Sequence, residues 1–149
     1  MAASANAEKR EGALSMADAG YSGTPLVKKL GIKPGTTLAL IGAPDDFEKL
    51  LKGLPKDVKP MRGGSAAADL VIWWPASLSD MESRIRAVEK RIADGGSVWI
   101  SWAKKASGVK TDLSDNNVRE TGLANGLVDY KVCAISEIWS GLKFARRKK

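Results

Sequence analysis

Histidine is absent from the 149-residue sequence, and cysteine occurs once, at Cys133. Without histidine, a Ser-His-Asp or Cys-His nucleophile is excluded and a structural zinc site nearly so. A single cysteine cannot form a disulfide within the chain, which is typical of a reducing compartment. Any acid or base must be Asp, Glu, Lys, Tyr or Cys133, groups that need pKa tuning to work near neutral pH. We therefore expect no metal site and assign no catalytic residue.

Long apolar runs are also absent. No run approaches the roughly 20 residues that a membrane-spanning helix needs, and the N-terminus lacks the apolar stretch of a secretory signal. We therefore expect a cytoplasmic protein with no membrane partner. Residues 1–20 are small and polar, so we expect a disordered tail in which Met16 could be the native start. The remaining length suits one domain, over 21–145.

Positive charge is concentrated at the C-terminus. The net charge is +7, and the final seven residues, KFARRKK, have five positive charges and no negative ones. We expect a basic tail over 146–149. Such a tail can contact nucleic-acid phosphates weakly and non-specifically, or it can simply keep the protein in solution. The residues available for phosphate contact are Arg146, Arg147, Lys148 and Lys149.

Strands and helices are predicted to alternate. Short apolar runs at 36–42, 70–74 and 97–102 predict buried strands, and residues at helical spacing follow each of them. This order is typical of a parallel sheet with helices on both faces. The last two runs, LVDYKVCAIS and EIWSGLKFARR, predict an antiparallel pair joined by a turn near Glu137.

A short helix is predicted between Thr24 and Gly31, and a longer α-helix follows Gly42. Asp45 and Glu48 have capping-box spacing at its start, and the Gly53-x-Pro55 pattern ends it. Its apolar face consists of Phe47, Leu50, Leu51 and Leu54.

The next predicted helix begins at the Ser79-x-x-Glu82 pattern. Its apolar stripe extends to Ile92, and the Gly95-Gly96 pair ends it. A further helix is predicted over 114–125.

The order of these elements, ending in a strand pair after GLVDYKVC, resembles the Rossmann-like fold of S-adenosylmethionine-dependent methyltransferases. The segments GYSGTPLVKKLGIKPG, SWAKKASGVKTDL and CAISEIWSGLKF also resemble a bacterial family of unknown function, from Tyr21 to Arg147. The resemblance implies a three-layer α/β sandwich with a mostly parallel sheet. Too few residues separate 57–62 from the strand at 70–74 for the usual strand-helix unit, so we expect a shortened sheet. Lys59 and Pro60 suit its edge.

The loop after the first strand, LIGAPDDF, differs from the methyltransferase pattern. Of its glycines only Gly42 is present, with Pro44 and Asp46 where others would fall. Proline fixes φ and removes a donor, and Asp46 would oppose the methionine carboxylate of the cofactor. The acid expected after the second strand is replaced by Arg62. We therefore expect no cofactor, although S-adenosylmethionine remains an alternative.

Ligands of open α/β sheets bind beyond the carboxyl ends of the strands. There the sequence places Gly42, Trp74 and Trp102, and the KKASG segment follows Trp102. Two cations, a hydroxyl and a glycine could bind a carboxylate or phosphate, or form only a solvated turn. The tryptophans could line a pocket or pack in the core. The candidate ligand-binding residues are Gly42, Trp74, Trp102, Lys104, Lys105, Ser107 and Gly108.

Three functions fit these features. We favour a non-catalytic methyltransferase-like domain that binds a small anionic molecule or a protein partner at the strand ends. The alternatives are an active S-adenosylmethionine-dependent methyltransferase with a non-standard cofactor site, and an RNA- or ribosome-associated protein held by its basic tail.

Overall fold

A six-stranded mixed sheet lies at the centre of the computed structural model, which describes residues 25–147. The predicted tail over 1–20, with Met16, lies outside the described residues, as do Lys148 and Lys149. The elements run in the order α1 Leu26–Leu30, β1 Leu38–Ile41, a 3-10 turn Phe47–Leu50, β2 Met61–Arg62, β3 Ala68–Trp73, α2 Leu78–Lys90, β4 Ile92–Ala103, a 3-10 turn Lys105–Ser107, α3 Asp115–Ala124, β5 Leu127–Ala134 and β6 Trp139–Arg146.

The strand order β2-β1-β3-β4-β6-β5 confirms the predicted mostly parallel sheet with a closing antiparallel hairpin. The first four strands pair in parallel, and β6 pairs antiparallel with both β4 and β5. The two-residue β2 lies at the edge, where the sequence placed it. Only residues 63–67 connect β2 to β3, so the sheet is shortened at this side.

Alternating side chains of the central strands form two apolar cores. Val71, Trp73 and Ile100 pack on the face covered by α2 and α3. Leu70, Ile72 and Trp99 pack on the opposite face with α1 and the first 3-10 turn. The two cores produce the three layers expected of this fold, because strands buried on both faces are apolar at every position.

The indole of Trp99 fixes α1 to the sheet. The side chain is fully buried, and its Nε1 donates a 3.0 Å hydrogen bond to the carbonyl of Leu30, the last residue of α1. Lys143 places its Nζ 3.4 Å from the same oxygen and 5.6 Å from the Trp99 ring centroid. The carboxyl end of α1 is therefore satisfied by groups from β4 and β6, since a helix leaves its last carbonyls unpaired.

The prediction of an α-helix after Gly42 is wrong. Only Phe47–Leu50 are helical, as a single 3-10 turn, and its N-cap residue Asp46 makes no capping hydrogen bond through its side chain. Phe47 is buried as expected, whereas Leu50 is 44% exposed. The segment between Pro44 and Gly53 is too short for its hydrogen bonds to offset the free-energy cost of helix nucleation. The buried side chain of Phe47 determines its conformation instead.

The predicted boundaries of α2 also require correction. Its N-cap is Ser77, whose hydroxyl accepts from the Asp80 amide, and not Ser79. Ile92 and the Gly95-Gly96 pair belong to β4 and do not end the helix. At Gly96 an added Cβ would lie 2.6 Å from the Asp69 carbonyl oxygen, so glycine is needed here for close strand packing.

Arg146 lies in β6, so the basic tail predicted over 146–149 starts inside the last strand. Its Nε donates to the Glu89 carboxylate, and its Nη2 donates to the carbonyls of Glu89 (2.6 Å) and Ile92 (2.5 Å). Arg146 therefore satisfies carbonyls at the end of α2. Among the described helices, none is both long and apolar enough to cross a membrane.

Packing of α3 on β6 leads to a stability prediction. Gly122 lies inside α3, where an added Cβ would be 2.3 Å from the Phe144 ring. Helix propensity alone favours alanine over glycine by about 1 kcal/mol, but overpacking a buried site costs about 1–3 kcal/mol. We expect Gly122→Ala to lower the free energy of unfolding in urea. The exposed Asn116→Ala on the same helix is the control, and a stabilised Gly122→Ala protein would contradict this packing.

Candidate functional site

The carboxyl ends of β1, β3 and β4 meet at a concave surface of about 390 Å³, which we call the rim cavity. Three of the residues predicted from the sequence, Gly42, Trp74 and Trp102, line it together. Its full lining is Gly42, Trp74, Pro75, Ala76, Asp80, Arg84, Trp102, Ala103, Val109, Lys110, Thr111, Leu113 and Trp139.

At the base of the rim cavity the backbones of Gly42 and Trp74 are in contact. Gly42 has a φ of +71°, and an added Cβ would lie 2.8 Å from the Trp74 carbonyl oxygen. The Trp74 amide in turn donates a 2.8 Å hydrogen bond to the Ile41 carbonyl. Glycine is therefore required at position 42 by the protein's own packing.

The two strand-end tryptophans are mainly core residues. Trp74 and Trp102 are each only 7% exposed. The Trp74 ring meets Phe47 edge to face, with ring centroids 4.6 Å apart. They contribute an apolar wall to the rim cavity, because indole rings packed this way cannot move far without disturbing the core.

The KKASG segment forms a closed turn beside the rim cavity and does not line it. The Ser107 hydroxyl donates to the Lys104 carbonyl at 2.6 Å and accepts from the Val109 amide at 3.1 Å. Gly108, with a φ of +81°, ends the turn, and Lys105 is exposed. The serine hydroxyl is therefore engaged locally, and anion binding by this segment stays a prediction.

The Lys104 side chain is half-buried on the side of the sheet that α1 covers. Burial lowers the pKa of its ammonium group, and the titratable groups nearby are Cys133, Glu137 and Lys29. Burial likewise raises the pKa of the Cys133 thiol, which leaves little thiolate at neutral pH. Neither group reaches the rim cavity in the described structure.

The cations of the rim cavity are Arg84 and Lys110, which the sequence analysis did not identify. Arg84 lies on α2, with its Nη1 3.5 Å from both carboxylate oxygens of Asp80. Lys110 lies on the segment that follows the KKASG turn. Their positions depend on how α2 and this segment pack, which no local sequence pattern specifies.

A second concave surface, of about 320 Å³, adjoins the rim cavity; we call it the arginine cleft. It lies between the ends of β1 and β2 and the side of α2, where the chain passes directly from β2 to β3. The two surfaces share Gly42 and Arg84. The cleft is lined by Leu40, Ile41, Gly42, Ala43, Arg62, Gly63, Gly64, Arg84, Ala87, Val88 and Arg91.

Arg62 holds the loop that follows β1. Its Nε and Nη2 each donate a 2.7 Å hydrogen bond to the Glu48 carboxylate. Its Nη1 donates to the Ala43 carbonyl at 3.1 Å, and its Nη2 also donates to the Pro44 carbonyl at 2.6 Å. All three guanidinium nitrogens of Arg62 therefore donate hydrogen bonds within the protein. The planar guanidinium suits these several acceptors better than the ammonium group of a lysine would.

Asp46 points away from both surfaces. Among the described residues it lines a third concavity, of about 310 Å³, with Phe47, Leu50, Ile138 and Trp139 nearby. The expectation that its charge lies beside Gly42 is therefore wrong. Without an α-helix after β1, the chain turns Asp46 towards the β5–β6 connection.

A family model matches residues 27–148, and its description is "protein of unknown function (DUF3052)". The chain belongs to the DUF3052 family. This confirms the resemblance to a family of unknown function. No curated protein matches the sequence of this DUF3052 chain.

Solved methyltransferase structures resemble the DUF3052 chain in fold. Magnesium protoporphyrin IX methyltransferase from Synechocystis PCC 6803, with bound SAM, is 12% identical with a TM-score of 0.54, over 83% of this chain and 74% of that one. The DhpI–SAH complex is 13% identical with a TM-score of 0.55, over 76% and 77%. Ribosomal protein L11 methylase from Lactobacillus delbrueckii subsp. bulgaricus is 14% identical with a TM-score of 0.51, over 83% and 75%. At these identities the likeness shows the fold alone.

The Arg62–Glu48 pair leads to a prediction about pH. The hydrogen bonds from Arg62 hold the pKa of Glu48 below its ordinary value of 4.5. A depressed folded-state pKa stabilises the fold above the unfolded value, and this stabilisation is lost as the pH falls through the folded pKa. We expect carboxyl NMR titration to give a Glu48 pKa below 4.5 that rises in Arg62→Gln. The same pKa in both proteins would show that the pair does not form in solution.

Proposed function

We propose that this protein binds a small anionic molecule at the rim cavity and does not catalyse methyl transfer. The observation on which the proposal rests is that Arg84 and Lys110 share a concave surface with the apolar walls of Trp74 and Trp102. Pockets for small molecules typically combine apolar walls with a few charged groups that fix the ligand. The two cations outnumber the one carboxylate of the lining, Asp80. They favour a carboxylate or phosphate ligand, because guanidinium and ammonium groups bind such anions through charge-assisted hydrogen bonds.

Two features at the strand ends support the absence of methyl transfer. The chain after β1 forms only a 3-10 turn over Phe47–Leu50 where an α-helix is expected, and β2 ends at Arg62 where an acid is expected. A helix N-terminus would supply donors to an acidic ligand group, and an acid would bind ribose hydroxyls. These residues do not fit S-adenosylmethionine, so no step of a reaction is assigned to it.

Active methyl transfer is the second candidate, because methyltransferases with bound SAM or SAH share this fold and the rim cavity lies beside Gly42. It requires the cofactor to lie in a pose that does not use the donors described above. Association with RNA through Arg147, Lys148 and Lys149 is a third proposal, although the Arg147 guanidinium also donates to the Leu123 carbonyl at 2.9 Å.

Ligand titration tests the proposal. We expect neither S-adenosylmethionine nor S-adenosylhomocysteine to stabilise the full chain in a thermal-shift assay at millimolar concentration. Native mass spectrometry of freshly isolated protein should instead detect a co-purifying small anion. We expect Lys110→Gln to weaken its retention, whereas Lys90→Gln, an exposed lysine outside the rim cavity, should not.

Stabilisation by either adenosyl compound at micromolar concentration would contradict the proposal and favour the enzyme. Retention of the anion that is equal in Lys110→Gln and in the wild-type protein would place its site elsewhere on the chain.

A further inference from the structure

The arginine cleft has charge of one sign only. Arg62, Arg84 and Arg91 line it, and no acidic side chain does within the described residues. Glu48 already neutralises Arg62, and Arg84 makes a longer 3.5 Å ion pair with Asp80, so Arg84 and Arg91 are the guanidinium groups of the cleft that can meet another anion. This concentration of charge in a concave surface suits a ligand of more than one negative charge.

Among residues 25–147, only part of the Arg91 guanidinium has a hydrogen-bond partner. Its Nε donates to the Ala66 carbonyl at 3.1 Å, which fixes the guanidinium over the cleft. Within residues 25–147 its two terminal nitrogens make no hydrogen bond. In the part of the chain that the structure describes, Arg84 is engaged only through the long 3.5 Å contacts with Asp80. Both arginines can therefore donate to a ligand without breaking a strong internal interaction.

The floor and the end of the cleft fit a small molecule. Leu40 and Val88 are buried and form an apolar base. Gly63 and Gly64 have φ values of +79° and +74°, and an added Cβ at either would meet no atom within 4 Å. Their backbone therefore adjoins the cleft with no side chain in between. A volume of about 320 Å³ is at the small end of the range for ligand pockets.

We propose that the arginine cleft binds the phosphate group of a small phosphorylated molecule whose remainder extends past Arg84 into the rim cavity. This inference rests on the proposed function, because both surfaces share Gly42 and Arg84 and would hold one ligand. A phosphate monoester has the double charge and the tetrahedral oxygens that two guanidinium forks recognise. Arg91 lines only the cleft and Lys110 lines only the rim cavity, so the two ends can be tested separately.

The competing explanation is that the arginines only cover an exposed sheet face. With no helix between β2 and β3, their alkyl stems shield Leu40 and Val88 from water. In that case replacing them lowers stability and leaves anion binding unchanged.

Calorimetric titration of the full chain distinguishes these explanations. The probes are inorganic phosphate, glycerol phosphate, adenosine monophosphate and adenosine, and S-adenosylmethionine is included in the same series. We expect the phosphate-bearing probes to bind the wild-type protein and adenosine not to bind. Arg91→Gln should weaken phosphate binding about 10-fold or more, as for the loss of a charge-assisted hydrogen bond. The phosphate affinity of Arg91→Lys should lie between those of the wild-type protein and Arg91→Gln.

Arg86→Gln is the matched control, because Arg86 is an exposed arginine on the same helix that lines neither surface. Equal weakening in Arg86→Gln would indicate non-specific attraction to net positive charge and would overturn the proposal. Near-ultraviolet circular dichroism confirms that each variant is folded, and loss of stability without loss of binding in Arg91→Gln also overturns it.

The failure of this inference can be separated from failure of the proposed function. Anion binding that depends on Lys110 but not on Arg91 would keep the rim cavity and reject the arginine cleft. Binding of S-adenosylmethionine alone would reject both.

Discussion

The guanidinium of Arg62 determines the shape of the strand ends. It joins the end of β2 to Glu48 and to the carbonyls of Ala43 and Pro44, so one side chain replaces the helix that usually follows β1 in this fold. The loop is held against the sheet instead of projecting as a donor-rich turn. Both the rim cavity and the arginine cleft depend on that position, because each has part of its wall in this loop.

The shortened sheet and the charge of the cleft are connected. A two-residue β2 and a direct passage to β3 leave one side of α2 without a neighbouring helix. Residues spaced for that side, Arg84, Ala87, Val88 and Arg91, would otherwise pack against protein. Arginine suits such a position, since its stem covers apolar surface while its head remains in water. The polar concave surface therefore lies where no helix connects β2 to β3.

The strands could be predicted from the sequence because runs such as Leu70–Trp74 are apolar at every position and too short for a buried helix. The 3-10 turn after Gly42 could not be predicted, because the spacing of Phe47 and Leu50 suits an α-helix as well as one buried anchor and one exposed leucine. Among the predicted site residues, those at strand ends line the rim cavity together, namely Gly42, Trp74 and Trp102. Lys104 and Ser107 do not line it. Sequence order specifies a strand end, but it does not specify the direction of a side chain in a loop.

The position of β6 has a consequence for the order of assembly. This strand is the last along the chain, yet it lies inside the sheet, between β4 and β5. During synthesis from the N-terminus, β1 to β4 can pair as they emerge, whereas α3 and β5 have no strand to join until residues 139–146 are made. The backbone of β4 and that of β5 both pair with β6. A nascent chain of this protein therefore keeps the edge of β4 unpaired until residues 139–146 are available.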